Sequence, residues 1–328
     1  MKYTAGIIGL GSCVPDRIMN NFDFEKIMDT SDEWIRTRTG IKERHIVSEG
    51  EANTDISIKA AKRAIEDAKI DPKDLDLIIV STITPDTVLP PTSCLIQEML
   101  GATNAAAFDI SAACTGFIYA LTIATQFIEN GMYKNILVIG AEILSSITDY
   151  TDRTTSILFG DGAGAAILSR VDEGGILSTY IGADGSGKDY LFIPAGGSRL
   201  GTSVQTIEQN LHTVKMAGNE VFKFAVRKME EASLEAIKKA GLKLEDVDFL
   251  IPHQANIRII NSSAKRLNMD MENVYINIDK YGNMSSASIP VALDEAYRKG
   301  KLKKGDNVLL VGFGGGLTWG STMIKWNL

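Results

Sequence analysis

The chain has 328 residues, 45% of them hydrophobic, with a formal net charge of −7 and three cysteines. Domains run to about 100–200 residues, so this length can bury one large core or two fused half-cores. The acidic balance excludes nonspecific binding to nucleic acid or anionic membrane, which needs a basic surface. Cys13, Cys94 and Cys114 form no C-x-x-C pair, so neither a disulfide framework nor a metal site is expected, and a reducing cytoplasm is the simplest setting. No window reaches the roughly 20 largely apolar residues that span a bilayer.

Met1-Lys2-Tyr3-Thr4 leads into an apolar stretch that reads as a first strand rather than a signal peptide. Gly9-Leu10-Gly11 lacks the third glycine of a dinucleotide fingerprint and is expected to form a tight turn. Residues 55–68 carry apolar side chains at helical spacing, and Leu75 to Val80 is an apolar run of strand length. Phe108-Asp109-Ile110 reads as a short strand meeting a helix that opens at Cys114 and stops near Gly131. That helix is apolar almost all round, as a helix buried inside the fold would be. Asn135 to Gly140 is the next strand. Gly160-Asp161-Gly162-Ala163-Gly164 lacks the Lys-Ser/Thr of a phosphate loop and is also expected to be a tight turn. Residues 143–160, 182–187 and 196–198 read as loops that shape a site. A helix is expected over 220–240, strands over 248–251 and 274–278, a helix from about Asn256, and a strand over 307–311. Gly312-Phe313-Gly314-Gly315-Gly316 follows that last strand, where backbone can approach a ligand closely.

The chain repeats itself. Ala64-Ile65 through Asp74-Leu75-Asp76-Leu77-Ile78 returns as Ala236-Ile237 through Asp246-Val247-Asp248-Phe249-Leu250, and Asn135-Ile136-Leu137-Val138-Ile139-Gly140 returns as Asn307-Val308-Leu309-Leu310-Val311-Gly312. Both matches share an offset of 172 residues, which chance matches would not. Residues 1–172 and 173–328 therefore read as duplicated halves, each with strands alternating with helices and a mostly parallel sheet. A pseudo-twofold axis between them gives an α/β body of five layers, α/β/α/β/α.

The repeat also gives geometry. Cys114 plus the offset falls at Ser286, just after Asn283, so the axis brings the two helix starts together and places the sulfur near His253 and Asn283. A helix start favours an anion by up to about 2 kcal/mol, so Cys114 is expected to ionise without a dedicated base. Each residue also has a structural reading: Cys114 as a small hydrophobe in an alanine-rich core, His253 as a residue ending a strand, Asn283 as a helix cap. Without a carboxylate partner, neutral His253 and Asn283 suit stabilisation of an enolate formed by decarboxylation, which an adjacent carboxylate would repel.

Taken together, Ser31-Asp32-Glu33-Trp34, Arg38-Thr39-Gly40-Ile41, Ala113-Cys114, Phe159-Gly160-Asp161-Gly162-Ala163, Pro252-His253-Gln254-Ala255-Asn256, Gly282-Asn283 and Phe313-Gly314-Gly315-Gly316 resemble β-ketoacyl-acyl carrier protein synthase III. The resemblance runs from about Ile7 to Trp326. It implies a thiolase fold, a homodimer, and condensation of a primer acyl-CoA with malonyl-acyl carrier protein to begin fatty acid synthesis, with no metal or redox cofactor and with coenzyme A thioester as a substrate. It further implies Cys114, His253 and Asn283 as catalytic residues and Gly315 as an oxyanion N–H. Trp34 and Arg153 would flank the adenine, Arg38 would sit near the phosphates, and Gly218, Phe222 and Asn256 would line the pantetheine tunnel. Leu89, where some members have Phe reaching across the dimer, and Phe313 would bound the primer pocket, leaving room for primers longer or more branched than acetyl. Lys223, Arg258, Lys265 and Arg266 would dock the acidic carrier protein, Lys223 on one helix with Arg227 and Lys228. The alternative is a relative that condenses acyl groups for polyketide or quinolone metabolism.

Overall fold

The computed structural model describes residues 3–328; Met1 and Lys2, which open the segment read as leading into the first strand, lie outside the described residues. From β1 (Thr4–Cys13) the chain makes an excursion through β2 (Ile18–Asn20), α1 (Asn21–Glu25), α2 (Asp32–Thr39) and β3 (Glu43–His45). It then runs through α3 (Asn53–Ala68), β4 (Leu77–Ser81), α4 (Thr92–Leu100), β5 (Ala106–Ile110), α5 (Gly116–Glu129), β6 (Ile136–Ile143) and β7 (Asp161–Val171). Next come β8 (Gly175–Ala183), β9 (Leu191–Phe192), α6 (Val204–Glu208), β10 (Lys215–Met216) and α7 (Gly218–Lys239). The last elements are β11 (Phe249–Pro252), α8 (Ile257–Arg266), α9 (Ile278–Tyr281), α10 (Ser288–Arg298), β12 (Asn307–Gly314) and β13 (Thr318–Lys325).

Every residue of β4 and β6 is buried, as befits strands covered on both faces. One sheet has the order β1-β7-β6-β4-β5 and the other β8-β13-β12-β11, with β4 parallel to β5 and β6, and β11 parallel to β12. The first four strands of one order correspond to the four of the other, and at the place of β5 the second half has only a single bridge, Leu250 to Val274, so the duplication seen in the sequence is largely a duplication of topology. Helices α3 and α4 cover the outer face of the first sheet, α7 with α8 behind it covers the second, and α5 and α10 fill the space between the sheets. The five expected layers are present. Among the described residues, no helix is long and apolar enough to cross a membrane.

Three local expectations are corrected. Residues 274–278 were expected to form a strand, but only Val274 bridges to Leu250, with Tyr275 N donating to the Leu250 carbonyl at 2.9 Å, before the chain turns into α9. The reason is the buried Gln254 side chain. Its amide donates to the Tyr275 carbonyl at 3.1 Å and its oxygen accepts from Asn277 N at 3.1 Å, replacing a ladder. Residues 160–164 are not a tight turn, because Asp161 already begins β7, and its carboxylate holds Val47 N and Ser145 N, both at 2.9 Å. Gly9 and Gly11 are not a turn either: they lie inside β1, where α3 crosses so closely that a methyl on Gly9 would sit 2.4 Å from the Ala64 carbonyl oxygen and one on Gly11 2.4 Å from that of Ala60.

The contact between β1 and α3 is therefore backbone against backbone, and any side chain at these glycines must push the layers apart. Gly11→Val is expected to cost at least about 1–3 kcal/mol, the usual range for overpacking, and to lower the midpoint of thermal unfolding. An unchanged midpoint would mean that helix and strand do not meet there.

Candidate active site

Between β5 and α5 the chain makes one tight helical turn, Ala113–Thr115, entered through Ala113 in the left-handed region at φ 46°. The turn ahead of α10, Ser285–Ala287, is entered through Ser285, also at φ 46°. Both positions normally favour glycine or asparagine, so the same strained entry has been kept in both halves. The two turns pack against each other. Each start is also seated closely on a strand: a methyl on Gly116, which opens α5, would fall 1.6 Å from Ser81 Oγ on β4, and one on Gly140 of β6 would fall 2.3 Å from the Ser286 carbonyl oxygen.

Cys114, His253 and Asn283 line one cavity of about 470 Å³. His253 follows β11, its N–H donating to the Val311 carbonyl at 2.8 Å and its ring standing edge-on to Phe313 at 5.7 Å. Its Nδ1 is buried without a hydrogen-bond partner, so Nε2 is the nitrogen left to face the cavity. Burial pushes the imidazole down to about 3, which keeps it neutral near neutral pH. Asn283 is clipped by residues 158–160: its N–H donates to the Leu158 carbonyl at 2.8 Å and its carbonyl accepts from Gly160 N at 3.0 Å. Its Oδ1 accepts from Ser285 N at 2.9 Å, which leaves the side-chain NH2 as the free donor. Arg44 holds this clip from outside. It is wholly buried, donates to the Ile157 carbonyl at 2.5 Å and lies over the Phe24 ring at 4.5 Å.

Gly314 lies against Cys114, since a methyl there would fall 2.7 Å from the Cys114 nitrogen. The sequence reading named Gly315 and passed over Gly314, the residue whose missing side chain allows the contact. The Gly315 N–H, in the next peptide, pairs with no group among the described residues.

Trp34, Arg38, Gly218, Phe222 and Asn256 also line the cavity, with Phe313 at its inner part. Arg153 does not stand away from Trp34 across an open slot. Its guanidinium lies 4.9 Å from the indole centroid and that of Arg38 lies 4.8 Å away, so the indole is already stacked by arginine. Arg153 is held there by donating to the Asp29 carbonyl at 2.6 Å. Asn256 caps α8, accepting from Arg258 N at 2.8 Å, and ties that helix to α2 by donating to the Arg38 carbonyl at 3.0 Å. Leu89 is 82% exposed and lies outside the cavity of its own chain. The expected basic patch is thinner than its residue count: Lys223 pairs with Glu220 at 2.9 Å and Arg266 pairs with Glu230. Lys228 turns inward onto Trp319. Lys265 is exposed, and Arg258 stands at the cavity rim over Phe222 at 5.4 Å.

One electrostatic expectation is overturned. Cys114 was expected to ionise readily, but it sits buried in the turn ahead of α5, and burial pushes its thiol up to about 12; the Ser285 hydroxyl opposes this and nearby Glu142 adds to it. Loss of water outweighs the helix start. Sequence also left one carboxyl unnoticed: wholly buried Glu142 stands behind the two turns, bonded to Ser285 and Ser286 rather than to His253 or Asn283, its carboxyl pushed up by burial. The signal was present: a charged residue ends the apolar run 136–143, and such residues are almost never fully buried unless partnered. Among the described residues, no cluster of His, Cys, Asp or Glu groups is fit to hold a metal ion.

The profile of 3-oxoacyl-[acyl-carrier-protein] synthase III matches residues 108–185, and that of its C-terminal part matches residues 237–326. A β-ketoacyl-[acyl-carrier-protein] synthase III of Clostridioides difficile (strain 630) is 65% identical over 328 residues, all of both chains. One from Caldanaerobacter subterraneus subsp. tengcongensis is 60% identical over 99% of each chain. The crystal structure of 3-oxoacyl-[acyl-carrier-protein] synthase III from Aquifex aeolicus VF5 superposes with a TM-score of 0.92 at 50% identity, over 98% of this chain and 100% of that one. With these likenesses spanning both halves and the cavity between them, the chain belongs to the 3-oxoacyl-[acyl-carrier-protein] synthase III family, the condensing acyltransferases that initiate fatty acid synthesis.

Proposed function

We propose that this cavity condenses a primer acyl-CoA with malonyl-acyl carrier protein in two stages, with Cys114 as the acyl carrier between them. The observation that carries the reading is the convergence of a thiol from one half with an imidazole and a carboxamide from the other on one cavity. In the first stage the Cys114 sulfur attacks the primer thioester, and the N–H groups of Cys114 and Gly315 receive the negative oxygen. In the second, the malonyl group loses carbon dioxide and its thioester oxygen becomes an enolate. His253 Nε2 and Asn283 Nδ2 are two uncharged donors for it, and one such preorganised donor is typically worth about 10²–10³ in rate. The enolate carbon then attacks the acyl group on Cys114 and gives the 3-oxoacyl product. Decarboxylation supplies the carbanion, so this chemistry calls for no metal or redox cofactor, and coenzyme A enters only as a substrate.

The coenzyme handle lies along Phe222, Gly218 and Asn256 towards Trp34, with Arg153 beside the base and Arg38 near the phosphates, with which guanidinium pairs well. Arg258 and Lys265 are the best placed of the four docking candidates. The working unit is a homodimer. Strand β5 ends its sheet with one edge unpaired and partly exposed, next to a loop whose Val88 and Leu89 are 97% and 82% exposed. An apolar edge of that kind is a pairing surface, and Leu89 then reaches the primer end of the partner's cavity. The three free thiols suit the cytoplasm.

Asn283→Asp places a negative charge where the enolate forms. It should slow release of carbon dioxide from malonyl-carrier protein by at least about 10²-fold while acylation of Cys114, weighed by mass spectrometry, changes far less. Equal losses in both stages would count against the assignment. Arg258→Glu should raise the KM for carrier-bound substrate, and flatten its salt dependence, without slowing acylation by acyl-CoA; an unchanged KM removes Arg258 from the docking surface. Leu89→Phe should narrow primer choice towards acetyl-CoA in competition between acetyl and branched primers. The same primer ratio as in the native enzyme would place Leu89 away from the primer.

A further inference from the structure

Glu142 is left without a task by the condensation as described, yet it is the most heavily hydrogen-bonded carboxyl near the nucleophile. Its Oε2 accepts from Ile83 N at 3.1 Å and from the Thr84 and Thr82 hydroxyls at 2.8 and 3.3 Å. Its Oε1 accepts from the Ser285 and Ser286 hydroxyls at 3.1 and 3.0 Å. None of these donors is charged, and among the described residues no lysine, arginine or histidine makes an ion pair with it. The other carboxyls on neighbouring elements serve their own donors: Asp161 holds Val47 and Ser145, Asp109 holds Thr92 and Ser93, and Asp86 holds Thr54. The titratable side chain that interacts with Glu142 is Cys114. Ser285 stands between the two: its hydroxyl donates to the Glu142 carboxyl at 3.1 Å, its turn packs directly against the Cys114 turn, and it favours the ionised sulfur.

We propose that Glu142 accepts the Cys114 proton through the Ser285 hydroxyl and holds it for as long as the acyl group stays on sulfur. The inference rests on the reading of Cys114 as the acyl carrier. In acylation the Cys114 S–H bond breaks, its proton passing to Ser285 Oγ while the Ser285 proton passes to Glu142 Oε1. The sulfur bonds to the acyl carbon, and coenzyme A leaves as a thiolate that takes a proton from water at the cavity mouth. In condensation the malonyl carboxylate departs as carbon dioxide and leaves its electron pair as the enolate. The enolate carbon bonds to the acyl carbon, the bond to Cys114 breaks, and the departing thiolate recovers its proton from Glu142 along the same path. One cycle thus takes up one proton from solvent and returns Glu142 to its starting state.

The relay accounts for two features that otherwise conflict with the chemistry. A thiol held up near 12 does not ionise by itself at neutral pH, and His253, held down near 3, cannot keep its proton. A buried carboxylate would also repel the enolate, but a carboxyl that is protonated throughout the acyl-enzyme stage does not. Glu142 contacts no reacting atom and acts through Ser285, as a positioning residue that also stores a proton.

The test uses the full chain and separates the two stages. Acylation of Cys114 by acetyl-CoA is followed by rapid quench and intact mass from pH 5 to 9, and single-turnover release of carbon dioxide from malonyl-carrier protein is measured on enzyme already acylated. Glu142→Gln mimics the protonated carboxyl. It is expected to acylate at least about 10²-fold more slowly, the scale of general-base catalysis, to lose the acid limb of the native pH profile, and to release carbon dioxide within a few-fold of the native rate. Glu142→Asp is expected to recover part of the acylation rate. Ser285→Ala cuts the relay while keeping the carboxyl, so it should show the same split and provides the comparison should Glu142→Gln fold poorly. Equal losses in both stages, or a native acylation profile in these variants, would overturn the relay. Native enzyme that gains no acyl mass on Cys114 would overturn both the relay and the reading beneath it.

Discussion

The structure depends on one steric constraint: two helix starts, one from each half, must seat closely on the strands around them, which only glycine at the contacts allows. Gly116 faces Ser81, Gly140 faces Ser286 and Gly314 faces Cys114, and at each contact a single methyl would collide. Duplication supplies the two helix starts and glycine lets them close. The left-handed entries at Ala113 and Ser285 are the local strain that accompanies the contact, of the kind that persists only where the surroundings over-determine the backbone. From it follow the position of the sulfur, the fixing of Asn283 by the segment before β7, and the burial of Glu142.

That closeness also sets the electrostatics. The thiol, the imidazole and the carboxyl are all buried, so each is pushed towards its uncharged form. At the inner end burial favours neutral groups, so the negative charge that the relay needs on resting Glu142 rests on its five hydrogen-bond donors. Fixed donors act strongly on such charge, because little water is present to screen them.

Much of this was legible in the chain. The offset of 172 residues predicted two matching sheets and the meeting of their helix starts, since a repeat with strand and helix periods intact can pack in few ways. Cys114 and His253 could be read because each stands where a strand gives way to a helix, and Asn283 because it precedes the helix start that the repeat pairs with Cys114. What sequence did not reveal depends on distances between segments far apart in the chain. The glycines of β1 looked like a turn because nothing local says that α3 will cross there. Gln254 looked like part of a motif, and its replacement of a strand ladder needs Tyr275 and Asn277 beside it. Glu142 was overlooked because its partners come from residues 82–84 and 285–286, and the thiol was judged by its helix start before the extent of its burial was known.

The indole of Trp34, already stacked by Arg38 and Arg153, has a consequence for the order of events. On the proposed reading, an aromatic base stacking there would compete with a resident guanidinium for the indole, so its grip would be the difference between two stackings rather than the whole of one. On that reading the nucleotide end of the first substrate would be a light hold. A second substrate carried on a protein brings no base to that place, so the arginine can return to the ring and the doorway keeps the same shape for a visitor of another kind.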